Sequence, residues 1–169
     1  MANTSNIKHR FFSAFREIFV HHHGSLEFRA KIFALIVASF ENTVYDEAEA
    51  YNLIKEYALK LYEDENRANL LVLTTKELVK KVYDDNGLNI DTLISNIQKE
   101  LKIVPRYAKK IDVDALRPIC LLTEDEETLA YQTRILDFLQ NLKDETLQSK
   151  QEQIEKSEEG ITSKFSNTK

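Results

Sequence analysis

The chain has 169 residues, 43% of them hydrophobic and 30% charged, which is one domain's worth of sequence with enough apolar side chains to bury a core unaided. Three Gly and two Pro are too few for the tight turns of an all-β fold. A formal net charge of −5 excludes a general nucleic-acid binder, because phosphate recognition needs concentrated basic surface.

The first predicted helix places Ile7, Phe11, Phe15, Ile18 and Phe19 at helical spacing, with Thr4 or Ser5 as cap and Gly24 as stop. If its aromatic face is left uncovered, Phe11 and Phe15 become a surface for a protein partner. Leu26 to Phe40 comes next, with no polar residue between Ile32 and Ala38. As a helix it would span ~22 Å, too short for a bilayer core of ~30 Å, and Arg29 and Lys31 inside it also argue against a membrane span. A helix that is apolar nearly all round belongs at the centre of a bundle. Residues 25–42 are therefore the expected central helix, with Ser25 able to cap it.

Asp46 and Glu49 have capping-box spacing for the next helix, whose apolar face is Ala50, Tyr51, Ile54, Tyr57, Ala58 and Leu61. A fourth helix runs from about Asn66 to Tyr83, with an internal capping box at Thr74-x-x-Glu77 that could interrupt it. Asn89 or Asp91 caps a fifth, which Pro105 ends. Residues 103–111 read as a loop or short extended piece, and Asp112 to Leu116 as one helical turn stopped by Pro118. Thr123 and Glu126 form a capping box for a last core helix bearing Leu129, Ala130, Ile135, Leu136, Phe138, Leu139 and Leu142. From Lys143 onward Lys, Glu, Gln and Ser dominate, and Leu147, Ile154 and Ile161 recur seven apart. One apolar position per heptad is a poor zipper seam. A frayed or disordered tail is the expectation.

The candidate sites are few. His21, His22 and His23 could ligate zinc, copper or nickel, but consecutive helical residues point ~100° apart and do not converge on one ion. A solvated helix end suited to the helix dipole is the simpler reading. Asp46, Glu47 and Glu49 could bind calcium or magnesium with loop oxygens, although acidic residues are what a helix start prefers anyway. Cys120, the lone cysteine, sits in the apolar run PICLL and is most simply a buried thiol. It cannot form an internal disulfide, and no apolar leader with a cleavage site opens the chain, so the cytoplasm is the expected compartment. All four His precede residue 24, and G-x-S-x-G, P-loop, dinucleotide and H-E-x-x-H motifs are missing, so no enzyme is expected. The basic, aromatic stretch of Arg106, Tyr107, Lys109 and Lys110 interrupts the helices and suits an acidic partner or a phosphate. A solvated loop is its plain alternative, but exposed loops are where function concentrates.

The stretch ALIVASFENTVYDEAEAYNLIKEYA, residues 34–58, resembles the signature region of TerB-like, tellurite-resistance-associated helical domains. In that family an apolar helix runs into an Asp-Gly turn, and a Glu stands seven residues after the Asp. Here Asn42 and Thr43 occupy the Asp-Gly places and Glu49 the Glu place. The resemblance implies a compact helical bundle linked to stress response and to metal binding, with Asn42 in place of the family's Asp weakening the metal role.

The sequence is thus expected to fold as an all-α, compact bundle of about six to seven helices around a buried central helix (25–42). Residues 4–142 form one domain, and residues 143–169 a flexible charged tail. The expected function is that of a non-enzymatic protein–protein interaction or accessory module of the bacterial cytoplasm, with no cofactor. A metal-binding stress protein using Asp46, Glu49 or His21–His23 is the alternative, and a homodimer is compatible with either.

Overall fold

The computed structural model describes residues 24–166, with side chains to residue 163. Its elements are α1 (Gly24–Ala38), α2 (Glu47–Tyr62), α3 (Glu65–Tyr83), α4 (Ile90–Ile103), a 3-10 helix (Pro105–Lys110), α5 (Val113–Cys120) and α6 (Glu126–Ser166). Among the described residues there is no strand, and no helix is long and apolar enough to cross a membrane.

From Ile32 to Ala38 the α1 helix carries no polar residue, and every residue of that stretch is buried. Phe28, Leu35, Ile36 and Phe40 are essentially inaccessible, and α3, α4, α5 and the 3-10 helix all pack on it. It is shorter than the expected 25–42: residues 39–43 form tight turns, with Phe40 N–H donating to the Val37 carbonyl at 3.2 Å. Asn42 takes a left-handed φ of 65°. Ser25 lies within the helix and does not cap it, and the helix that Gly24 was expected to stop lies outside the described residues. The absence of a Cβ at Gly24 matters for another reason: one placed there would stand 2.6 Å from the Tyr107 hydroxyl.

Side-chain caps start most of the other helices. Asp46 accepts from Glu49 N–H at 3.0 Å, Asp64 from Arg67 at 2.9 Å, Asn89 from Thr92 at 2.8 Å and Asp112 from Ala115 at 3.1 Å. Each bond satisfies an amide that the helix itself leaves open. The expected cap at Thr123 is displaced by two residues. Asp125 accepts from Thr128 N–H at 2.8 Å, while Thr123 Oγ1 accepts from Asp125 N–H at 3.1 Å, so Thr123 braces the cap and Asp125 is the cap.

Further expectations change. Thr74 and Thr75 do not interrupt α3; their hydroxyls donate back to the Leu70 and Leu71 carbonyls at 2.7 and 2.8 Å, which lets a hydroxyl sit inside a helix. Leu61, expected on the buried face of α2, is 40% exposed. Pro118 lies within α5 without stopping it, its ring being exposed. Residues 105–110 are a 3-10 helix and not a loop, with Pro105 at its start, where a missing N–H costs little. Finally, the tail expected to be frayed or disordered from Lys143 is helix through Ser166, and Leu147 still packs on the core.

Candidate functional site

The 3-10 helix is held from several sides. Ala108 is fully buried. The Tyr107 ring lies 5.3 Å from that of Phe28 in α1. Ile111 N–H donates to the Ala108 carbonyl at 3.1 Å, and Lys143 Nζ of α6 donates to the Ile111 carbonyl at 2.9 Å. The element packs on α1, α4 and α6 together. On this platform Arg106 and Lys109 are exposed and Lys110 is half-buried. Of the four residues singled out here from sequence, three therefore offer charge to solvent, whereas Tyr107 is mainly a packing residue.

Behind the platform lies a side chain whose role the sequence does not reveal. Arg29 of α1 is 8% exposed. Its Nη1 donates to the Tyr62 hydroxyl at 3.3 Å, and its guanidinium carbon stands 5.6 Å from the Tyr62 ring centroid. Arg67 covers the same ring at 4.9 Å. Because α2 runs antiparallel to α1 here, Phe33 meets Tyr57 at 5.3 Å one turn along from the Arg29–Tyr62 contact. Tyr57 has its pKa raised by burial, against which Arg29 pulls downward. Lys110 is held below the usual lysine pKa, first by burial and then by the positive fields of Arg29 and Arg106. On the other side of the platform, Pro105 and Lys102 border a groove of about 440 Å³ closed by α6 residues including Glu145 and Lys150.

The remaining candidates disperse. Asp46 is occupied by its capping bond, and Glu49 receives a side-chain bond from Asn52 at 3.4 Å. No group of three or more His, Cys, Asp or Glu suited to a metal occurs among the described residues. Phe11, Phe15, His21, His22 and His23 lie outside the described residues. Cys120 is buried, and burial pushes its thiol up to about 11, so at neutral pH it stays protonated and a poor nucleophile. No family model, curated protein or solved structure matches this chain.

Proposed function

We propose that this chain is a non-enzymatic interaction module of the cytoplasm whose 3-10 helix presents Arg106, Lys109 and Lys110 to an acidic segment of another protein. The observation that carries this reading is the setting of those cations: a rigid, multiply anchored element that projects positive charge from a chain of net charge −5. Fixed charges lose little entropy on binding and steer an oppositely charged partner.

A fluorescein-labelled polyglutamate peptide is a suitable first probe, read by anisotropy at low and moderate salt. Binding is expected to weaken at least ~10-fold, or ~1.4 kcal/mol, when Arg106, Lys109 and Lys110 are replaced by Ala. A charge-matched control replaces Lys81, Lys99 and Arg134, which are exposed on α3, α4 and α6, and is expected to bind nearly as wild type. Equal losses in the two variants would reduce the effect to net charge and remove the proposal.

A further inference from the structure

The face of α6 that packs on the body runs on past the point where the body ends. Leu147 is the last described α6 residue to pack on the core. Seven residues return an α-helix to within ~20° of the same direction. Ile154 and then Ile161 therefore continue that face into solvent, 43% and 57% exposed. Where α6 leaves the body lies the groove described above, with Lys102 and Pro105 on one side and Leu142, Thr146 and Lys150 on the other. Charge divides along the same line. Residues 151–163 carry Glu152, Glu155, Glu158 and Glu159 against Lys156 alone, whereas Lys102 and Lys150 border the groove with a single carboxylate, Glu145. Among the described residues neither lysine is in an ion pair. The acidic end cannot turn back to meet them, because α6 is one helix through Ser166.

We infer that the groove takes the α6 end of a second copy of this chain, in an antiparallel pair related by a two-fold axis. With Ile154 opposite Ile154 of the second copy, Ile161 of each chain falls at Leu147 of the other, and Glu158 at Lys150. Each contact is then made twice, and the pair closes on itself. A parallel pair fails on two counts. It sets Lys150 against Lys150 and Glu158 against Glu158, and it puts the second helix on the face that the body already covers at Leu147. One apolar position per heptad is thin for a free-standing coiled coil; here Pro105 and Leu142 in the groove cover what the seam lacks. None of the three cations assigned to an acidic partner takes part, so the inference stands apart from that reading.

The test is sedimentation equilibrium of the untagged full chain over a wide range of concentration, at low and moderate salt. Average mass is expected to rise from 19.7 kDa toward twice that value and no further, with salt weakening the association. Ile154→Glu sets two carboxylates face to face at the axis and is expected to weaken association ~10-fold or more. Lys150→Glu is expected to do the same, and adding Glu158→Lys to it to restore association, because the swapped pair meets its complement only in the antiparallel register. Each variant should keep the wild-type melting temperature when dilute, since Lys150, Ile154 and Glu158 lie outside the core. A monomer at every concentration, or assembly that grows past the dimer, would overturn the inference. So would a dimer indifferent to Ile154→Glu, or a double swap that associates as weakly as Lys150→Glu.

Discussion

Glu63 closes α2 in the left-handed conformation, φ 51°, and its N–H donates to the Leu59 carbonyl at 3.0 Å. A residue with a Cβ is disfavoured there, while glycine keeps the same bond without the clash. Glu63→Gly is expected to raise stability by ~0.5–1 kcal/mol in urea denaturation, and Glu63→Val to lower it. Asp125 is a second residue whose contribution can be isolated. Bonds from the Thr128 side chain and then from its backbone hold the Asp125 carboxyl below its ordinary value of 3.8. With the folded pKa depressed, the stabilisation is present above the ordinary value and disappears as pH falls through the folded one. Asp125→Ala should therefore melt below wild type at pH 7, and the two curves should converge in strong acid. In the core, Leu35 and Ile36 are fully buried, so replacing either by Ala is expected to cost ~2–5 kcal/mol. A loss well under 1 kcal/mol at both would contradict the enclosure of α1.

The α6 helix separates secondary structure from packing. Beyond Lys150 its described residues are exposed, including Ile154 at 43% and Ile161 at 57%. Deleting residues 151–169 is accordingly expected to change unfolding free energy by no more than ~0.5 kcal/mol, while far-ultraviolet circular dichroism loses helix signal. The shortage of apolar residues in this stretch correctly implies the absence of packing, but it says nothing against a helix. An existing helix extends without a new nucleus, Glu, Lys and Gln are good helix formers, and bonds such as Gln148 to Glu152 at 3.1 Å and Gln151 to Glu155 at 2.9 Å run along it. The 3-10 helix is hidden in the sequence for a related reason: Pro105 announces an end to α4 but does not specify the conformation of the residues after it. At Thr74 the spacing of a capping box is present, yet a hydroxyl can bond backward as well as forward, and burial decides between the two.

Across the whole molecule, the parts legible from sequence are those fixed by local pattern. The unbroken apolar stretch from Ile32 to Ala38 makes a buried helix because such a surface must be covered on every side, and Asp46 caps the helix that begins after that run breaks. The basic stretch at Arg106–Lys110 is legible as composition. The pairing of a buried charge is not, because it is decided by elements far apart in sequence. Lys31 finds Glu100, 69 residues on, and Arg29 finds Tyr62. From sequence alone the two cations look alike; in the fold one meets carboxylates and the other a tyrosine. The most direct measurement is a ¹H–¹⁵N correlation spectrum of the full chain titrated with the polyglutamate peptide at constant ionic strength. Saturable shifts concentrated at Arg106 to Lys110 are predicted. Shifts spread over exposed lysines of α3 and α6, with those residues unmoved, would contradict the assignment of the 3-10 helix as the functional face.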